Sequence, residues 1–161
     1  MGIRAPRGAW ARIASGLRNS LLAGVCAAAV HSSLMALRDY LGILPEFQPY
    51  RDLQGIIGSA GGDSPHNVYQ WLLPYLTGAM LIGFIFGRTY RFLPGSTAIR
   101  KGIVFGVCAW LLMGFGFLSL AGHGIFGTDM GLGIQPAALT LVMLLVYSIV
   151  MSLVYDGLSA H

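Results

Sequence analysis

The sequence predicts an all-α polytopic membrane protein, a four-transmembrane-helix bundle, and three observations support this prediction. First, 55% of the 161 residues are hydrophobic and only 10% are charged. Soluble domains carry about 25% charged residues, so most of this chain's surface is expected to face lipid. Second, the apolar residues gather into four long spans. Third, Lys and Arg are distributed unevenly between the loops.

The four predicted spans cover residues 21–37, 68–86, 102–122 and 136–155. At a rise of about 1.5 Å per residue, helices of this length cross, or just cross, a hydrocarbon core of about 30 Å. Pro74 and Pro136 lie in the first turns of the second and fourth spans, where a missing N–H group is tolerated. The membrane domain is therefore expected over residues 21–157, after a basic segment at residues 1–20.

The connection after the first span, residues 38–67, is the longest loop and is rich in Gly and Pro. Within it, the stretch YRDLQGIIGSA predicts a short amphipathic helix that ends at Gly58. We therefore expect this outer loop to carry one short extra helix.

The first span has an alternative interpretation as a secretory signal peptide. It combines a basic N-terminal region, an apolar run from Leu21 to Val30 and a small residue near Ala36. The apolar sequence continues to Leu37 without a clear small-x-small cleavage site, which favours a retained transmembrane helix.

The orientation follows from the basic residues, eight of which lie in the N-terminal segment and in the loop between the second and third spans. The other two loops contain Arg38 and Arg51 and most of the acidic residues. The positive-inside rule then places both termini in the cytoplasm. A short-looped basic chain of this kind fits a bacterial inner membrane.

Small residues at helical spacing predict close helix packing. The spacing is clearest in the second and third spans, and the expected contact residues are Gly78, Gly83, Gly87, Gly102, Gly106 and Gly114. In the fourth span, Ser148 and Ser152 lie on one side together with Tyr147 and Tyr155. We expect the serine hydroxyls to bond carbonyls of their own helix.

Three histidines are candidate cofactor ligands. His31 is an ionisable side chain inside the first predicted span. His66 precedes the second span and His123 follows the third, both on the predicted outer side. Two such imidazoles could ligate the iron of a b-type haem or bind a quinone. The structural alternative is a neutral His31 that is hydrogen-bonded to a neighbouring helix. No metal site is predicted.

Other functional classes find little support in the sequence. No nucleophile or catalytic motif stands in a recognisable context, so no catalytic residue is assigned and an enzyme is not expected. The spans lack the mid-membrane Asp, Glu or Lys typical of small transporters and channels. The basic residues flank apolar spans, so membrane lipid and not nucleic acid is the expected partner. Cys26 and Cys108 lie inside spans and do not indicate a disulfide framework.

Three stretches of the chain resemble a loose class of small bacterial inner-membrane proteins of unknown function. They are AGVCAAAVHSSLMALRDYLGILPEFQPYRDLQGIIG, HNVYQWLLPYLTGAMLIGFIFG and GIVFGVCAWLLMGFG. The resemblance implies four helices, a first outer loop with a short helix, and glycine-rich second and third spans. It implies no activity and no catalytic residue.

The sequence thus favours a non-enzymatic membrane protein, an accessory or structural subunit of a complex or a homo-oligomer. The first alternative is a redox subunit that holds haem or quinone through the outer-side histidines. The second is a small transporter or channel.

Overall fold

The fold is all-helical over the residues that the structure, a computed structural model, describes, which are 7–45 and 68–160. In these two ranges no strand occurs. The main helices are α1 (Arg7–Tyr40), α2 (Val68–Thr89), α3 (Ala98–Leu120) and α4 (Gln135–Ser159). The prediction of an all-α fold is confirmed for these residues. The short helix expected over residues 50–60 of the outer loop lies outside the described residues.

Among the described residues, three helices are long and apolar enough to cross a membrane. They are Ser15–Tyr40 of α1, Ala98–Leu120 and Gln135–Ser159. In α2, the stretch Gly78–Thr89 is apolar but shorter. These helices are compatible with a helical membrane bundle.

The helix boundaries follow from local chemistry. Thr97 caps the start of α3, because its hydroxyl accepts a hydrogen bond from the backbone N–H of Arg100 at 3.4 Å. Pro136 occupies the first turn of α4, where its ring fits and its missing N–H group is no loss. The turn before α3 contains Gly95, whose φ of 129° suits a residue without a Cβ.

One turn of α3 departs from α-helical geometry. The helix is α-helical to Leu112, forms a π-helical turn over Met113–Phe117 and ends with Leu118–Leu120. A π turn widens the helix locally and is often found at functional positions. The loop that follows includes a short 3₁₀ segment, Ile125–Met130.

The four helices are arranged with α1 and α4 at the centre. Helix α1 packs against α2 and α4, and α3 packs against α4. The rings of Phe86 on α2 and Phe105 on α3 meet with centroids 5.0 Å apart, which joins the two flanking helices near the α2–α3 loop. The end of the bundle at the α2–α3 loop is called the inner end, and the end at the α3–α4 loop the outer end. The described core is rich in small side chains and contains Ala23, Ala27, Ala28, Ala79, Phe86, Tyr147 and Met151.

Helices α1 and α2 approach each other backbone to backbone. A Cβ atom on Gly83 would overlap the carbonyl oxygen of Ser20, and one on Gly24 would overlap the carbonyl oxygen of Ala79. The two glycines also face each other, since a Cβ on Gly24 would lie 3.1 Å from the Cα of Gly83. This crossing therefore has no room for even a methyl group.

Replacing Gly83 by alanine should destabilise the bundle by about 1–3 kcal/mol, because the new methyl group meets rigid backbone and not a mobile side chain. Thermal unfolding of the protein in mild detergent would measure the change. Gly78→Ala is the matched control on the same helix, since no described atom lies within 4 Å of the place its methyl group would take. Equal melting temperatures for the two variants would contradict the close crossing.

Candidate functional site

His31 lies on α1 against α4, in the interior of the bundle. Its ring meets the ring of Tyr147 edge to face, with centroids 5.9 Å apart and an interplanar angle of 84°. The imidazole also hydrogen-bonds the backbone of Met143, one turn earlier on α4. Tyr147 is buried and His31 is half-buried. The structure thus gives His31 a helix–helix contact of the kind expected for a structural membrane histidine.

The other two candidate ligands are placed differently. His66 lies outside the described residues. His123 follows α3, where its carbonyl accepts a hydrogen bond from the backbone N–H of Asp129 at 3.0 Å. His31 thus contacts residues of α4, whereas this hydrogen bond of His123 joins two residues of the loop between α3 and α4. Within residues 7–45 and 68–160, no group of three or more His, Cys, Asp or Glu side chains could hold a metal ion.

An aromatic cluster closes the outer end of the bundle. Phe126 stacks on Trp110 with centroids 4.5 Å apart and meets Phe115 at 5.1 Å. Its ring occupies the position that a side chain on Gly114 would need, within the π turn of α3. Phe126 has a φ of 56°, an unfavourable conformation for a bulky residue, so the surrounding contacts must hold it there.

A second aromatic cluster closes the inner end. Phe86 packs edge to face against Tyr90 and Tyr155, with centroids 5.3 Å and 5.9 Å away. The phenol of Tyr90 donates a hydrogen bond of 2.9 Å to the carboxylate of Asp156, and the ammonium of Lys101 lies 4.1 Å from the centroid of the Tyr90 ring. This inner cluster therefore joins α2, α3 and α4.

In the described part of the chain, side chains other than His31 also donate hydrogen bonds to backbone carbonyls of another helix. Asn19 bonds Leu158 at 3.0 Å, Trp110 bonds Ala137 at 2.9 Å and Ser152 bonds Ala98 at 2.6 Å. The expectation that the fourth-span serines bond their own helix is wrong for Ser152. A close approach of α3 makes the neighbouring carbonyl the nearer acceptor.

The glycines expected at helix contacts have different surroundings. Gly83 and Gly87 face α1, where a Cβ on Gly87 would overlap the hydroxyl of Ser20. Gly102 and Gly106 face α4, and a Cβ on Gly102 would lie 2.8 Å from the Cα of Ile149. Gly114 faces the ring of Phe126, whereas no described atom lies within 4 Å of the corresponding position at Gly78.

The sequence did not indicate the contacts that Trp110 and Arg38 make in the structure. Trp110 links α3 to α4. In the sequence, this contact is indicated only by the general need of a buried indole N–H for a hydrogen-bond acceptor. Arg38 is only 3% exposed and forms an ion pair with Asp39 at the outer end of α1. The sequence places both residues of this pair near the outer surface but does not indicate that the guanidinium is buried.

The environment of Tyr90, just beyond the end of α2, predicts an unusual titration. Burial, then the hydrogen bond to Asp156 and the negative charge of that carboxylate, raise the pKa of Tyr90 to about 12. Because the folded-state pKa is the higher one, the stabilising effect of the neutral phenol is complete below the ordinary value of 10.0. It is lost as the pH rises towards 12.

The difference in near-ultraviolet phenolate absorbance between wild type and Tyr90→Phe should therefore titrate near pH 12. In an Asp156→Asn background the same difference should move part of the way back towards 10, because the neighbouring charge is gone. A Tyr90 titration centred on the ordinary value in wild type would contradict this environment.

Comparison with known proteins gives one result for the chain as a whole. No curated protein matches it, and no solved structure matches it. The family DUF6789, described as a family of unknown function, matches residues 14–161. This range includes all four main helices except the beginning of α1. Because the match spans nearly the whole sequence, the chain belongs to the DUF6789 family of unknown function.

Proposed function

We propose that this protein is a non-enzymatic integral membrane protein that crosses a bacterial inner membrane four times and serves as an accessory or structural subunit. It would act within a larger membrane complex or as a homo-oligomer. The observation that carries the proposal is the use of polar side chains as ties between helices. Asn19, Trp110 and Ser152 each donate to a carbonyl of a neighbouring helix.

Ties of this kind suit a rigid scaffold. Interhelical hydrogen bonds in membranes contribute roughly 0.6 kcal/mol each on average, and they also fix the relative rotation of two helices. Here they act together with glycine crossings between α1 and α2 and between α3 and α4. A bundle held in this way presents constant outer faces, which is what a subunit needs to bind a neighbouring chain.

The outer faces of the flanking helices are available for such association. Leu81 and Ile85 on α2 are exposed, and so are Ile103, Val107 and Leu111 on α3. The glycines at positions 83, 87, 102 and 106 already contact other parts of the chain. Association with a second copy or another protein would therefore use the apolar outer faces, and lipid would cover the remainder.

The proposed orientation rests on where the charges lie relative to the helices. Arg88 ends α2, and Arg100 and Lys101 lie in the first turns of α3, so these charges share one end of the bundle. Arg38 and Asp39 lie at the opposite end, near the C-terminus of α1. The positive-inside rule supports a cytoplasmic location for the more basic end.

The test is to wash membranes with alkaline carbonate, extract the protein in mild detergent and measure its protein mass by light scattering. We expect it to stay in the washed membrane and to elute as a multimer or with a stoichiometric partner. Exposed Cys26 and Cys108 allow cross-linking in the membrane, with Cys26→Ala and Cys108→Ala showing which helix lies at a self-contact. Release by carbonate, or a strict monomer without a partner, would contradict the proposal.

The redox alternative has one supporting observation, the position of His31 inside the bundle beside Tyr147. A haem bound through His31 would give a sharp α band in a reduced-minus-oxidised spectrum of the protein purified from its native membrane. His31→Ala should remove that band, whereas His161→Ala, at the C-terminus of the chain, should leave it unchanged. A flat wild-type spectrum, or a band that survives His31→Ala, would reject haem ligation by this residue.

A further inference from the structure

Four basic side chains lie in and beside the turn that joins α2 to α3. Arg88, Arg91 and Arg100 are exposed, and Lys101 is half-buried. In residues 7–45 and 68–160 the ion pair that forms is between Arg38 and Asp39, at the opposite end of the bundle. None of the four cations therefore has a carboxylate within ion-pairing distance in the described part of the chain.

Aromatic rings hold three of these cations in place. The guanidinium of Arg91 lies 4.6 Å from the centroid of Phe92, and that of Arg88 lies 5.9 Å from the centroid of Phe84. The ammonium of Lys101 lies over Tyr90. Stacking of a guanidinium on a ring occupies its face and leaves the N–H donors at its edge free. Arg88 and Arg91 thus contact aromatic rings and retain donors for an anionic acceptor.

The position of the segment indicates where that acceptor lies. Phe92 is 71% exposed at the end of an apolar helix, beside the charge of Arg91. Exposed aromatic rings next to cations are typical of the membrane interface, at the level of the lipid headgroups. The nearby acid, Asp156, supplies one negative charge against the four positive ones, so the segment keeps a net positive charge.

From this arrangement we propose that the basic segment, defined by Arg88, Arg91, Arg100 and Lys101, binds the phosphodiester headgroup of an anionic phospholipid. The proposal rests on the membrane location proposed above. Guanidinium groups bind phosphate oxygens through paired N–H donors, and several such groups together favour an anionic over a zwitterionic headgroup. The rings of Phe84 and Phe92 would contact the upper acyl chains of the same lipid.

The experiment is lipid competition on the full chain in mild detergent. Equal amounts of phosphatidylglycerol and phosphatidylcholine are added, and native mass spectrometry counts the lipids that remain bound. We expect wild type to retain several-fold more phosphatidylglycerol. The variant Arg88→Gln, Arg91→Gln, Arg100→Gln should lower this ratio to about one. Lys101 is left in place because it packs on the inner cluster.

The charge-matched control is Thr128→Glu, Ile134→Glu, Gln135→Glu, which lowers the net charge equally at exposed positions of the outer end. It should keep the wild-type preference. An equal loss in both variants would show attraction by net charge alone, and an unchanged ratio in the arginine variant would place the lipid elsewhere. Either result, or no preference in wild type, overturns the proposal, as does a wild type that binds an acidic protein there in place of lipid.

The carbonate wash separates this inference from the proposed function. Protein that resists the wash but shows no lipid preference would remain an integral membrane protein without the headgroup site. Protein that the wash releases would remove the basis for both proposals.

Discussion

The bundle depends on the absence of side chains at two helix crossings. At the crossing of α1 and α2, Gly24 and Gly83 let two backbones touch, and at the crossing of α3 and α4, Gly102 lies against Ile149. In the proposed membrane location, no hydrophobic force would press the helices together, and close van der Waals contact would supply the attraction. The remaining contacts are possible because these crossings bring the carbonyls of one helix within reach of another.

The two ends of the bundle use this closeness in different ways. At the inner end, the ring of Phe86 on α2 packs against rings from α3 and α4. Beside it, the phenol of Tyr90 donates a hydrogen bond to the carboxylate of Asp156. At the outer end, a π turn opens the surface of α3 so that Phe126 can occupy it. Both ends are closed by aromatic rings, whereas the middle of the bundle is packed with small residues.

The sequence was sufficient to predict that the chain forms apolar helices, but not to predict which residues those helices pack against. Apolar spans and low charge indicate helical segments because a membrane leaves few other ways to satisfy the backbone. The glycine spacing shows which residues allow close approach, yet Gly83 and Gly114 look alike in sequence although one faces a backbone and the other faces a ring. The π turn that contains Gly114 has no signature in MGFGF, and the ring that fills the space beside Gly114 comes from Phe126 in the following loop.

The candidate site was predictable only in part for the same reason. A histidine inside an apolar span is visible from hydropathy, and His31 could be singled out from the sequence alone. Its contacts with Tyr147 and Met143 could not, because they depend on α1 meeting α4 and not α3.

The three hydrogen bonds that Asn19, Trp110 and Ser152 donate to other helices all end on backbone carbonyls, and this has an evolutionary consequence. Leu158, Ala137 and Ala98 accept their hydrogen bonds through the main chain, which every amino acid possesses. A substitution at any of these acceptor positions can leave the bond intact and requires no compensating change on the donor helix. Across relatives, the donors Asn19, Trp110 and Ser152 would then persist while their acceptors drift. Correlated substitutions would reveal little about these three contacts, even though they fix how the helices are joined.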